Sequence, residues 1–200
     1  MTTPHPAAAL AERLWFTRKA WICAEERLLK NEHHTQLLMV VYAAYTTCLS
    51  VVLLAYEPAS NDKKLIDTSL AVLSIILLAL SLYLNSKSFK DRAARFKSGY
   101  HDLHDIENRL RSLSAQPFAG EVPAEYITLS DRYNKALRDV ENHVELDDIC
   151  NRIGAGSGLT SRLPTKAEFA RYYWWLVWRF FALSFCYLAP AAALVWFFYK

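Results

Sequence analysis

The sequence predicts an all-α membrane protein, and three apolar blocks are the main observation behind this prediction. They run from about residue 35 to 56, from 65 to 85 and from 180 to 199. Each has about 20 residues, the length at which a helix crosses the hydrocarbon core of a bilayer. The remaining sequence is rich in charge, and no stretch alternates as a half-buried strand does. We therefore expect helices both in lipid and in water.

The bulk composition conceals this segregation. The 200 residues are 53% hydrophobic and 22% charged, and the net charge of +3 is too small to indicate nucleic-acid binding. The first apolar block lies behind a long charged segment, so we expect no cleavable leader. The sequence contains neither a Ser-His-Asp order nor an acid–base pair of the kind that catalysis uses. We therefore expect neither an enzyme nor a cofactor.

The pattern divides the chain into five segments. They are an N-terminal amphipathic helix, a transmembrane hairpin, a cytoplasmic helical hairpin, a linker and a C-terminal transmembrane helix, at residues 1–33, 34–86, 87–153, 154–170 and 171–200. The first segment is helical because its apolar residues recur at a spacing of three or four. Those residues are Leu10, Leu14, Ala20 or Trp21, Ala24 and Leu28. The stretch "EPASNDKK", residues 57–64, is expected to turn the chain between two antiparallel membrane helices.

The last apolar block has aromatic residues at both ends, which is typical of the headgroup levels of a bilayer. Tyr172 to Trp178 stand at its entry, and Trp196 and Tyr199 stand at its exit. Arg179 lies near the entry, where its guanidinium could reach lipid phosphates; a functional charge in a pore mouth is the alternative. Pro190 is expected to kink the helix.

The distribution of Lys and Arg predicts the orientation. These residues are frequent before the first block, after the second block and before the third, but the turn at 57–64 has only two lysines. The N-terminus and residues 87–170 are therefore expected in the cytoplasm. The turn and the C-terminus are expected outside.

Small hydroxyl residues recur along the first two blocks at helical spacing. The candidate positions for lining a pore or packing helices are Thr46, Ser50, Ser74, Ser81 and Asn85. Hydroxyl stripes of this kind either join helices through hydrogen bonds or face a wet pore. Because one hairpin cannot enclose a pore, conduction would require a homo-oligomer.

A second stripe follows the membrane hairpin, at coiled-coil spacing. Its candidate residues for contact with an oligomer or another partner are Phe89, Phe96, Tyr100, Leu103 and Leu110. A further apolar pattern from Tyr126 to Ile149 predicts one more helix, which could cover the stripe within the same chain.

Other chemical groups have a structural interpretation and a functional alternative. Gly154, Gly156 and Gly158 predict a flexible linker, because no strand precedes them as a phosphate loop requires. His101 and His104 could share a metal, but a solvated face is the favoured interpretation. The acidic residues Glu145, Asp147 and Asp148 are likewise expected on the surface. The four cysteines are expected to be structural and unpaired: Cys23, Cys48, Cys150 and Cys186.

The layout resembles the SLATT family of bacterial two-transmembrane effectors. The segments that carry the resemblance are "RLWFTRKAWICAEERLLKNEHHTQ" before the first block and "RAARFKSGYHDLHDIENRLRSL" after the second. The resemblance covers about residues 10 to 150, and the third apolar block departs from a plan with two spans. It implies an inner-membrane effector of a bacterial defence, or abortive infection, system. Such an effector would oligomerise and form a pore or disrupt the bilayer when a linked sensor fires.

The resemblance also implies the partners. They are the lipid bilayer, further copies of the chain and a linked sensor, namely a nucleotide-synthase or reverse-transcriptase unit. No direct nucleic-acid binding and no catalytic residues are implied. The alternative is a non-conducting membrane scaffold that tethers a cytoplasmic partner through the stripe from Phe89 to Leu110.

Overall fold

The computed structural model describes residues 5–55, 60–117, 121–156, 159 and 161–199. Its described residues form six α-helices, which we number in chain order. They are α1 (Pro6–Ala55), α2 (Ser60–Ser86), α3 (Phe89–Ser114), α4 (Ala124–Asp139), α5 (Glu145–Ala155) and α6 (Lys166–Tyr199). The prediction of an all-α fold is confirmed, and the described part of the chain contains no strand.

Three of these helices, α1, α2 and α6, contain the apolar blocks and are long and apolar enough to cross a membrane. Helix α1 is continuous over 50 residues, so the amphipathic segment and the first apolar block belong to one helix. The predicted turn falls partly outside the described residues, since 56–59 are not described. Helix α2 is already helical from Ser60.

The chain separates into two compact units. One, the polar unit, consists of Met1–Leu29 and Lys90–Trp174; the other, the membrane unit, consists of Lys30–Phe89 and Trp175–Lys200. The polar unit has a buried core of its own, whereas the most apolar windows of the three long helices are almost unburied.

The first part of α1 is the central element of the polar unit. Its buried residues are Ala7, Leu10, Ala11, Leu14, Phe16, Ala20, Trp21, Ala24 and Leu28. These include all the apolar positions that the spacing predicted. They occupy more than one face of the helix, while Ala8, Glu12 and Glu26 on the opposite side are exposed. Burial of this wide apolar face against several other helices makes α1 the central element.

Helix α3 packs closely on α1 at a glycine. The Trp21 and Phe96 rings meet edge to face, with centroids 6.0 Å apart. A Cβ atom placed on Gly99 would lie 2.5 Å from the Trp21 ring and 2.9 Å from a methyl group of Val140. Only glycine leaves room for the indole here, because Trp21 is fully buried and its rigid ring cannot swing aside.

The predicted helix from Tyr126 to Ile149 is interrupted, and the structure has α4 and α5 in its place. Val140 is extended, with φ −114° and ψ 140°, and its side chain is buried against Gly99. Helix α5 starts after Val144, whose N–H donates to Asp147 Oδ2 at 3.1 Å. Tertiary packing of Val140 and this cap outweigh the local helical pattern.

The membrane unit joins α1 to α6 by polar contacts along the two helices. The Tyr42 hydroxyl donates to the carbonyl of Cys186 at 3.0 Å, and His34 Nδ1 lies 3.1 Å from the Tyr187 hydroxyl. Arg179 contacts Asn31 near the start of this part of α1, and Cys186 contacts Tyr42 further along, so the two helices run parallel. The predicted orientation requires the first and third spans to be parallel. The orientation itself stays a prediction.

A left-handed residue separates α2 from α3. Ser88 has φ 45°, and the N–H groups of Lys87 and Ser88 bond carbonyls three residues back. Residues with a side chain rarely adopt this conformation, and here it breaks the helical path between Ser86 and Phe89.

Replacement of Gly99 tests the α1–α3 contact. We expect Gly99→Ala to lower the free energy of unfolding by about 1–3 kcal/mol, because the added methyl collides with Trp21. Gly154→Ala is the matched control, since nothing lies within 4 Å of its Cβ position in α5 and alanine favours helix. Thermal or denaturant unfolding in mild detergent measures both, and equal effects would contradict the packing described here.

Candidate functional site

Three of the hydroxyl groups predicted to line a pore, those of Thr46, Ser50 and Ser74, are bonded to carbonyls of their own helices. Thr46 Oγ1 donates to the carbonyls of Tyr42 and Ala43, Ser50 donates to Thr46 at 2.8 Å, and Ser74 donates to Leu70 at 2.9 Å. Bonds of this kind satisfy a hydroxyl inside lipid, where no water is available. The side chains can therefore face hydrocarbon without an unpaired donor.

These positions remain open to the surroundings of the chain. Ser50, Ser74, Ser81 and Asn85 are exposed, and Thr46 is half-buried. The structure does not bring the five together into one lined passage in a single chain. Their exposed surface is left to lipid, water or another molecule.

The apolar surface around them is also uncovered. In the most apolar window of each long helix, the buried share is 0%, 0% and 6% for α1, α2 and α6 in turn. Large side chains such as Leu54, Ile75 and Phe185 are between 67% and 88% exposed. So much contiguous apolar surface is found on a protein that meets lipid or further subunits.

Arg179 has partners within the membrane unit. Its Nη1 donates to the side-chain oxygen of Asn31 at 2.7 Å, and its guanidinium lies 5.3 Å from the centre of the Trp175 ring. Asn31 is neither of the partners that the sequence suggests for Arg179, which are lipid phosphates and a pore mouth. Together with the contacts of Tyr42 and His34, this pair ties the third span to the first.

From Phe96 onward, the stripe on α3 faces the interior of the polar unit. Phe96, Leu103 and Leu110 are fully buried, and Tyr100 and Phe89 are half-buried. Their cover includes Trp21 of α1, so part of the stripe already has a partner in the same chain. Its use by a second molecule stays a prediction, and it would require α1 to move away from α3.

Two ion pairs lie in the polar unit at positions that the sequence did not reveal. Arg27 donates to both oxygens of Asp147, at 2.7 and 3.0 Å, and the Asp147 side chain is 2% exposed. Glu107, equally buried, lies between Arg18, at 2.9 Å, and Arg111. The prediction of a surface position for Asp147 is wrong, because a bidentate arginine compensates its burial. The one sequence signal for this role of Asp147 was its position three residues after Val144, where a carboxylate can cap the start of a helix.

The expected glycine linker is shorter than the sequence predicted, and its described residues contact neighbouring helices. Helix α5 continues to Ala155, and Gly156 adopts φ 52°. Beyond it, Ser161 donates to Glu12 and the Arg162 guanidinium lies over the Phe16 ring at 4.8 Å. Arg152 of α5 bonds Glu168 of α6, and Glu168 also accepts the N–H of Thr165 at 2.7 Å. The described residues of this segment are therefore held against α1 and α6. Gly158 lies outside the described residues.

The remaining candidate groups separate in the structure. His101, Asp102, His104 and Asp105 are exposed, as the solvated-face interpretation predicts. Among the described residues, no three metal-ligating side chains come together. Cys23 and Cys150, by contrast, are neighbours: Cys150 raises the pKa of the Cys23 thiol, and Cys23 lowers the pKa of the Cys150 thiol.

Fold and site together define a class: an all-α membrane protein with three apolar helices and a separately packed polar unit. The chain belongs to the SMODS and SLOG-associating 2TM effector domain family 5, whose model matches residues 3–197. The expected resemblance to this group is confirmed, but its extent is corrected, because the match includes α6 as well as residues 10 to 150. No curated protein matches the chain, and no solved structure matches it.

Removal of the buried carboxylate of Asp147 tests its role. We expect Asp147→Ala to cost about 3 kcal/mol of unfolding free energy, because it leaves Arg27 without its charge partner and removes a cap from α5. Asp148→Ala, on the same helix, should cost less than about 1 kcal/mol, because its pair with Arg152 is partly exposed. Denaturant unfolding followed by tryptophan fluorescence compares them. Similar losses for both variants would contradict this assignment.

Proposed function

We propose that the chain is the effector of a bacterial conflict system and that it oligomerises to form a pore or disrupt the inner membrane. Membership of a family of two-transmembrane effector domains supports a membrane effector of this kind. The observation that carries the pore proposal is the pair of exposed hydroxyl positions Ser74 and Ser81, on a helix whose apolar window is unburied.

The proposed pore requires oligomerisation, because a single chain cannot enclose it. Ser74 and Ser81 are seven residues apart, so they occupy nearly the same face of α2. One copy of this face cannot surround water. Several copies can direct it to a common axis while the apolar residues on the other faces of α2 meet lipid or neighbouring subunits.

The hydrogen bonds of these serine hydroxyls are compatible with both a closed and an open state of the proposed pore. In lipid, Ser74 keeps its bond to the Leu70 carbonyl, and the same hydroxyl can bond water when the face turns towards an aqueous passage. A charged lining would impose a large cost in the resting membrane, whereas these serines impose little. The resting chain can therefore stay in an intact bilayer.

The polar unit is the proposed receiver of the trigger. The family description names SMODS and SLOG proteins as associates, and a linked nucleotide-synthase or reverse-transcriptase unit would act as the sensor. Since α1 contributes residues to both units and is one continuous helix, a change at its first half has a covalent path to the first span. No catalytic step and no cofactor is needed for this action.

Substitution on the hydroxyl face tests conduction. We expect Ser74→Trp and Ser81→Trp to reduce ion or dye flux at least tenfold in liposomes that contain the assembled chain, because an indole narrows the passage. Ile76→Trp is the matched control, since Ile76 is also exposed but lies about 200° around the helix from Ser74. Its flux should remain close to that of the unchanged chain.

The oligomer is measured in the same preparation, so that loss of assembly is separated from loss of conduction. Full assembly of the unchanged chain without flux would refute the pore and leave the scaffold. An equal loss of flux in all three tryptophan variants would show that the hydroxyl face does not line the passage.

Labelling of single cysteines tests the proposed orientation in bacterial cells. In a chain without its four native cysteines, His104→Cys should resist a membrane-impermeant maleimide until the cells are opened. Asp62→Cys should react in intact cells, because the lysine and arginine distribution places the turn outside. Reaction of the cysteine at 104 in intact cells would reverse the orientation.

A further inference from the structure

The polar unit contains a pair of thiols that sequence distance conceals. Cys23 lies on α1 and Cys150 on α5, and the two thiols are close enough for each to shift the pKa of the other. The Tyr172 hydroxyl lies 3.6 Å from the Cys150 sulfur. Both cysteines are half-buried, so a small oxidant can reach them, and both are free thiols in this structure.

An ion pair next to the thiols sets the alignment of the two helices independently. Arg27 lies one turn after Cys23, and its partner Asp147 lies nearly one turn before Cys150. The 2.7 Å contact between Arg27 and Asp147 therefore fixes the same faces of α1 and α5 against each other. The ion pair therefore brings the faces of α1 and α5 that carry Cys23 and Cys150 together, and a disulfide needs neighbouring cysteines on facing elements.

We propose that Cys23 and Cys150 form a reversible redox site, at which a peroxide produces a disulfide that fastens α1 to α5. Nothing in the proposed pore mechanism uses either thiol. The pair is the arrangement that redox-sensing cysteines have, in which an accessible thiolate stands beside a resolving thiol.

The chemistry needs one peroxide molecule for each disulfide. The Cys150 thiolate attacks the peroxide O–O bond, which breaks and, with one proton, gives a sulfenic acid and water. The Cys23 sulfur then attacks the Cys150 sulfur, and the hydroxyl leaves as a second water with the thiol proton. In total, two thiols lose two electrons and two protons, and hydrogen peroxide is reduced to two waters. A dithiol reductant reverses the reaction by disulfide exchange.

Cys150 is the attacking residue because Cys23 and Tyr172 favour its anion. Cys23 lowers the pKa of the Cys150 thiol, the Tyr172 hydroxyl lowers it further, and partial burial opposes both. Glu26 and Asp147 are the charged groups nearest to the pair that raise it. Cys150 and partial burial raise the pKa of the Cys23 thiol, so Cys23 retains its proton until the second step.

Peptide mapping of the full chain tests the site without any variant. Protein purified in mild detergent is reduced, freed of reductant and treated with hydrogen peroxide. We expect a cross-linked peptide that contains Cys23 and Cys150, the loss of two of the four free thiols, and recovery of both thiols with dithiothreitol. The oxidised chain should also melt at a higher temperature than the reduced chain, because the bond restricts the unfolded state.

Cysteine variants show which thiol attacks the peroxide and which thiol forms the disulfide in the second step. Cys23→Ser should accumulate a dimedone-reactive sulfenic acid on Cys150, whereas Cys150→Ser should leave Cys23 largely unmodified. The double variant Cys48→Ser/Cys186→Ser is the control and should form the disulfide as the unchanged chain does. The absence of the cross-linked peptide, disulfides only between chains, or a disulfide without any rise in melting temperature would overturn the proposal.

Discussion

The distribution of apolar surface is the constraint on which the rest of the molecule depends. In α1, α2 and α6 the most apolar windows are almost wholly unburied, while the polar unit buries a complete core. Water cannot solvate helices with side chains such as Phe181, Phe185 and Leu188 exposed. A bilayer solves this problem, because helices satisfy their own backbone groups and lipid covers their side chains. The polar contacts within the membrane unit then decide which helices meet.

In the polar unit, the other helices pack against one helix. The first part of α1 contacts α3 through Trp21, α4 through Thr17 and α5 through Arg27. Burial of large side chains supplies most of its stability, and the two buried ion pairs fix the alignment. The ion pairs are needed for this alignment, because apolar contact alone allows neighbouring helices to slide.

Much of the fold could be predicted because it depends on local patterns. The apolar blocks predict α1, α2 and α6, and the spacing from Leu10 to Leu28 predicts the buried face of α1. The break at Val140 could not be predicted, since it depends on the space beside Gly99. The Arg27–Asp147 pair and the Cys23–Cys150 pair join residues far apart in sequence, and a single sequence holds no signal for such contacts. The positions of Ser74 and Ser81 on an exposed face followed from helical spacing, but their function in an oligomer depends on contacts beyond one chain.

The central claim is that lipid solvates the three apolar helices while the polar unit packs by itself. Alkaline extraction of membranes from cells that express the full chain tests it most directly. We predict that the chain stays in the lipid pellet at high pH and is released only by detergent. A chain that is recovered in the aqueous fraction as a compact monomer without detergent would contradict the account.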